Sequence, residues 1–146
     1  MTERSVAARM EQAVRTYIQG CNDCNATAIS AHLHPEAIQY FPNLPKWVGS
    51  SVIGNKLATL AREHNLCWTV DQLAVDADRL AAALEFTAFD GAGRVYRGVE
   101  WYDFEPGSLL IRDIRPYYAA RSRDQVREEL EDFDYAGRGY PMTRPA

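Results

Sequence analysis

The chain has 146 residues, 47% apolar and 25% charged, the balance of one ordinary globular domain whose core needs neither disulfides nor metals. A formal charge of −4 and a pI near 5.4 speak against a nucleic-acid partner, which would ask for a concentrated basic face, and against anionic membrane surfaces. No run reaches the roughly 20 apolar residues of a membrane span, and "MTERSVAARMEQ" lacks a signal-type apolar stretch, so the expected address is cytoplasmic.

Apolar residues recur at helical spacing from Val6 to Gly20 (Val6, Met10, Ala13, Val14, Tyr17, Ile18), and Gly20 with "CNDCN" closes that pattern. "ATAISAHL" predicts a second, shorter helix. "HPEAIQYFPNLPKWVG" then breaks into a short strand and a Pro-rich loop, since Pro35, Pro42 and Pro45 exclude a continuous helix. Ser50 or Ser51 can cap a third helix striped by Val52, Ile53, Leu57, Leu60 and Ala61. From about Leu66 the period becomes that of strands, in "CWTVDQLAV", "RLAAALEFTAFD", "RVYRGVEWYDF" and "SLLIRDIRPYYA". The breaks "DAD", "DGAG" and "EPG" suit antiparallel hairpins. A last amphipathic segment, "SRDQVREELEDF", reads as a helix with Val126 and Leu130 inward, followed by an irregular tail.

Helices followed by a strand meander make an α+β domain over 1–146, with its core from about residue 6 to 120. A sheet curved around its helices forms a cone, and the mouth of a cone suits a small molecule. Alternation puts Tyr96, Gly98, Glu100, Tyr102 and Phe104 on one strand face and Val95, Arg97, Val99, Trp101 and Asp103 on the other. Glu85 sits mid-strand in the preceding segment. A hairpin loop of Gly91 to Arg94 would set Glu85 opposite Glu100, and a loop one residue shorter would set it opposite Val99. Two carboxyls about 5 Å apart would share a proton at neutral pH, which is the physics of a general acid beside a general base. The competing reading pairs these glutamates with Arg97, Arg112 or Arg115. In the last strand one register brings Asp113 and Arg115 to the side of Glu100. The next brings Arg112, with Ile114, Pro116 and Tyr118. Cys21, Cys24 and Cys67 read as thiols, and "CNDC" followed by "HLH" lacks a second pair for a metal site, so neither metal nor cofactor is expected.

The stretches "RTYIQGCNDCNATAISAHLHPEAIQYFP", "VGSSVIGNKLATL" and "GSLLIRDIRPYYA" resemble the nuclear transport factor 2-like superfamily, in particular its SnoaL-like and ketosteroid isomerase-like members, over Met10 to Ala119. The resemblance implies a cone-shaped curved sheet wrapped around N-terminal helices, also described as a cystatin-like barrel. It places Tyr17 where ketosteroid isomerase has its oxyanion-hole tyrosine, and Glu100 near the second oxyanion donor. The isomerase's base precedes a proline after the first strand, and Phe41 stands there, so that steroid mechanism is not expected. The Asp-Arg-Asp set of limonene epoxide hydrolase is also incomplete here. Scytalone dehydratase uses tyrosines and histidines, and this chain offers Tyr17, Tyr40, His32 and His34.

The resulting expectation is a cofactor-independent acid/base lyase, dehydratase, isomerase or cyclase acting on an apolar, cyclic or aromatic, oxygenated substrate. Glu100 and Glu85 would serve as acid and base and Tyr17 would polarise the substrate, with Tyr40, Trp47, Tyr102, Asp113, Arg115 and Tyr118 lining its site. The alternative is a non-catalytic ligand-binding or dimerisation module. The resemblance further implies a homodimer through the outer sheet face, with Val99, Trp101 and Leu84 as contacts.

Overall fold

A computed structural model of the chain describes residues 5–118 and 126–146. The first helix, α1 (Val6–Asn22), starts where Ser5 Oγ accepts the Ala8 amide at 3.2 Å, and it buries Met10, Ala13, Val14, Tyr17, Ile18 and Cys21. Asn22 fastens its end to the sheet by donating to the Trp68 carbonyl and accepting the Trp68 amide. Helix α2 (Ala26–Ser30) is a single capped turn. Helix α3 (Ser50–Glu63) begins at Gly49 with φ +100°, and no serine side chain caps it as the sequence suggests; a left-handed residue turns the chain instead.

The predicted Pro-rich loop is a hairpin. Strand β1 (Leu33–Phe41) pairs with β2 (Leu44–Val48) around Asn43, whose φ of +59° makes the tight turn. Pro35 falls between Leu33 and Ile38, where the pairing of β1 with its other neighbour loses register, so its missing N–H costs no ladder bond.

The meander forms as β3 (Cys67–Asp76), β4 (Ala81–Phe89), β5 (Val95–Phe104) and β6 (Ile111–Tyr118), in a sheet ordered β2-β1-β6-β5-β4-β3. Only β1 and β6 run parallel within this path. The core lies between the helices and the inner sheet face, with Leu84, Phe86, Tyr102 and Ile114 wholly enclosed. Gly98 is required by close approach: a Cβ there would stand 2.6 Å from the Tyr117 carbonyl oxygen and 2.8 Å from the Phe86 ring, which lies over it.

The last helix does not form in its described part. Val126 and Leu130, expected inward, are 60% and 58% exposed, and residues 122–125 of that segment lie outside the described residues. Arg127–Glu128 instead make a short strand, β7, parallel to the start of β5. Extended backbone lets two successive glutamates reach two arginines, Glu128 with Arg94 at 3.3 Å and Glu129 with Arg97 at 3.2 Å. The rest of the tail packs Phe133, Tyr135 and Tyr140 edge to face, with Tyr135 4.2 Å beneath the Arg97 guanidinium. Arg97 is only 3% exposed although it points to the outer face, because the tail covers it. It donates to Thr87 Oγ1 at 2.7 Å and to the Pro141 carbonyl at 2.9 Å.

Candidate functional site

Glu100 stands on the inner face of β5, as alternation requires, and is 9% exposed. Its cross-strand neighbours are apolar, Leu84 on β4 and Pro116 on β6. Two residues on, the Tyr102 hydroxyl donates to Glu100 Oε1 at 2.5 Å. Burial between apolar neighbours raises the carboxyl from the usual range to about 7, against the smaller downward pull of the Tyr102 bond.

Among the described residues, the titratable groups around this carboxyl are phenols and a thiol. Tyr17 from α1 is enclosed and meets the Tyr102 ring edge to face, with centroids 6.0 Å apart. Burial, then the nearby Cys21 and Glu100, push its phenol well above the ordinary value. Burial with the Glu100 charge does the same to Tyr102 and to Tyr118, and burial with the same charge raises the Cys21 thiol. Tyr118 is partly exposed and touches Phe86 edge to face, so it forms the solvent side of the cluster.

On the β4 side the shorter of the two turns forms, and on the β6 side the register that brings Ile114, Pro116 and Tyr118 beside Glu100. On the β4 side, Glu85 pairs with Val99 and therefore projects from the opposite face; the two carboxyls do not meet. The cause is the turn. Asp90 Oδ1 accepts the amides of Ala92 and Arg94, Gly93 takes φ +81°, and the Asp90 amide bonds to the Arg94 carbonyl, closing a loop of three residues. Glu85 ends up toward the tail, close enough to Tyr140 to help raise that phenol above its ordinary value.

On the β6 side, Glu100 faces Pro116, with Ile114 and Tyr118 on the same face, and neither Asp113 nor Arg112 is opposite. The connection is longer than a tight hairpin, because Leu109, at φ +56°, buries its side chain before β6 begins. Asp113 and Arg115 therefore sit on the outer face, where Arg115 Nη1 bonds to Asp103 at 2.5 Å and to Asp113. Arg112 pairs with Glu105 at 2.9 Å. With Arg97 held by Glu129, none of the three arginines proposed as a partner reaches Glu100.

Of the remaining candidates, Tyr40 alternates outward and is partly exposed. Trp47 lies opposite Gln39 on β2, meets Phe41 edge to face and lines a groove of about 370 Å³ against Lys56, Thr59 and Leu60 of α3. The packed cluster around Glu100 thus gathers Tyr17, Tyr102 and Tyr118 from the sequence reading, and adds two residues it passed over, Cys21 and Gln39. Gln39 is 2% exposed, on the row of Ile114 and Tyr102, and its Oε1 accepts the Tyr17 hydroxyl at 3.1 Å. A single polar residue between Ala37 and Phe41 on an apolar strand face was the available signal. Among the described residues no cluster of three or more His, Cys, Asp or Glu is arranged to hold a metal ion.

A SnoaL-like domain profile matches residues 14–114, which carry Tyr17, Cys21, Gln39, Glu100 and Tyr102 but not Tyr118. The chain belongs to the SnoaL-like family. A protein of unknown function with a cystatin-like fold from Methylobium petroleophilum PM1 is 39% identical to this SnoaL-like chain, covering 96% of it and 95% of its own length with a TM-score of 0.75. An NTF2-like protein of unknown function from Cytophaga hutchinsonii is 15% identical over 80% of this chain and 92% of its own, with a TM-score of 0.64. A Mycobacterium tuberculosis protein in complex with estradiol-17beta-hemisuccinate is 16% identical over 78% of this chain and 94% of its own, with a TM-score of 0.63. The last two establish a shared α+β fold. No curated protein matches this SnoaL-like sequence. No helix among its described residues is long and apolar enough to cross a membrane.

Proposed function

We propose that this SnoaL-like protein is a cofactor-independent acid/base enzyme in which Glu100 moves a proton on an apolar, cyclic, oxygenated small molecule. The observation that carries the reading is a buried carboxyl with a phenol donor, none of its candidate arginine partners in reach, and a pKa of about 7. A group divided near neutrality between acid and carboxylate both takes and returns a proton without a large energetic mismatch. One such carboxyl suits isomerisation, elimination of water or ring closure, in which a proton leaves one substrate atom and arrives at another or at a leaving hydroxyl. The apolar walls, Leu84, Phe86, Ile114 and Pro116, favour a hydrocarbon ring, and the phenols of Tyr102 and Tyr118 favour a carbonyl or hydroxyl on it. Among the described residues no cation stands beside Glu100 to welcome an anionic ligand. The estradiol ring system of the ligand bound to the mycobacterial neighbour, without its succinate carboxylate, is of the substrate class expected here.

The test is a panel of cyclic enones, hydroxy ketones and epoxides incubated in D2O and followed by proton NMR. The wild-type protein is expected to convert or deuterate at least one of them, and Glu100→Gln none. Equal activity in Glu100→Gln removes the proposal. Inertness of both toward the whole panel favours the non-catalytic binding module, which the dense packing of Leu84, Phe86, Tyr102 and Ile114 also favours.

We also propose a cytoplasmic homodimer through the outer face, where Val99 and Tyr117 are 41% and 63% exposed beside Trp101. Leu84, named above as a contact, is enclosed on the inner face and drops out. Sedimentation giving a monomer overturns this assembly.

A further inference from the structure

Three phenols, Tyr17, Tyr102 and Tyr118, stand near Glu100, and of these Tyr102 donates to it. Tyr102 donates to the carboxyl, while Tyr17, close enough for the carboxylate charge to act on its phenol, donates to Gln39 Oε1 at 3.1 Å. A phenol has one proton to give, so the choice of acceptor is exclusive. The carboxamide of Gln39 is oriented by its other end, where Nε2 faces the Tyr40 carbonyl at 3.5 Å and leaves the oxygen toward Tyr17. Gln39, Ile114 and Tyr102 lie in one cross-strand row, and Tyr17 spans that row from the helix above.

We infer that Gln39 is a positioning residue that draws the Tyr17 hydroxyl proton away from Glu100, leaving the carboxyl with one phenol donor instead of two. The inference rests on the acid/base reading of Glu100 for its meaning, although not for its test. A second donated hydrogen bond would favour the carboxylate, lower its pKa and hold Glu100 ionised at neutral pH, a weaker base with no proton left to give. Gln39 therefore keeps the proton of the site exchangeable. Among the described residues the titratable groups facing Glu100 are Tyr17 and Cys21 from α1, Tyr102 on its own strand and Tyr118 on β6, none of them charged at neutral pH. The Cys21 sulfur is the competing acceptor for Tyr17, and a thiol accepts far more weakly than a carboxylate.

The experiment follows the Glu100 carboxyl by carbon-13 NMR in protein labelled at the glutamate side-chain carboxyl, with the resonance assigned from Glu100→Gln. Tyr17→Phe alone should leave the midpoint unmoved, because that phenol gives nothing to Glu100 in the native arrangement. Gln39→Met keeps the length of the side chain, removes the acceptor and should lower the midpoint by about one pH unit or more. Adding Tyr17→Phe to Gln39→Met should restore it. A midpoint unchanged in Gln39→Met overturns the inference, as does a shift in Tyr17→Phe alone. Should Gln39→Met fail to fold, Gln39→Leu provides the same readout. A wild-type midpoint at the ordinary carboxyl value would count against the proposed function, while the Gln39→Met difference would still decide the role of Gln39.

Discussion

Replacing Glu100 with glutamine should stabilise the protein in alkali and leave it unaffected in acid. Glutamine keeps an oxygen for the Tyr102 hydroxyl and has nearly the same volume, so the main quantity removed is ionisation. The folded value of about 7 lies above the ordinary 4.5, so between those pH values the folded chain holds a proton that the unfolded chain has released. Stability linked to Glu100 is complete below pH 4.5, falls as the pH rises through the window, and is lowest above pH 7. A rise of roughly 2.5 units at about 1.36 kcal/mol each gives about 3 kcal/mol. For a domain of this size that corresponds to a melting temperature difference on the order of 5–10 °C. Thermal unfolding followed by circular dichroism, for both proteins at a pH below 4.5 and at one above 7, isolates the effect, since all other titrations are shared. The gap between Glu100→Gln and wild type should open with pH. A gap of equal size at both ends would refute the account of Glu100 as a buried carboxyl without a charged partner among the described residues.

Three further outcomes follow from the geometry. Glu85→Gln should leave both turnover and the Glu100 NMR titration unchanged, because Glu85 projects from the opposite sheet face; a moved midpoint would contradict the register. Arg97→Met should cost about 3 kcal/mol in urea unfolding, since it leaves Glu129 and Thr87 without their buried cation, and should open the tail to protease cleavage after residue 126. Gly98→Ala should cost about 1–3 kcal/mol, the penalty of forcing a methyl against the Phe86 ring and the Tyr117 carbonyl, which chemical denaturation would register.

The side of β5 that faces the core was readable from period-two alternation, because side-chain direction in a strand is a local property. Which residue lies opposite Glu100 was not, because register depends on how many residues the turns absorb. That number hung on Asp90 and Gly93 at one end and on a left-handed Leu109 at the other, and leucine carries no turn signal. The tail was misread for a related reason. "DQVREELEDF" has helical periodicity, but Glu128 and Glu129 answer to Arg94 and Arg97, more than thirty residues earlier. Gln39 was legible in principle as an isolated polar side chain on an inward strand face, and the aromatic residues around it drew the attention instead.

The stretch matched by the family profile ends at residue 114, while the buried Arg97 within it finds Glu129, Tyr135, Pro141 and Met142 beyond that limit. Position 97 and the last twenty residues are consequently one packing unit. A relative that exchanges or shortens this terminus must change the arginine with it, or leave a guanidinium on a sheet face with nothing to answer it. The segment that identifies the family and the segment able to stand alone are therefore of different lengths, and an excised 14–114 fragment would lack both Met10 from the core and the cover over Arg97.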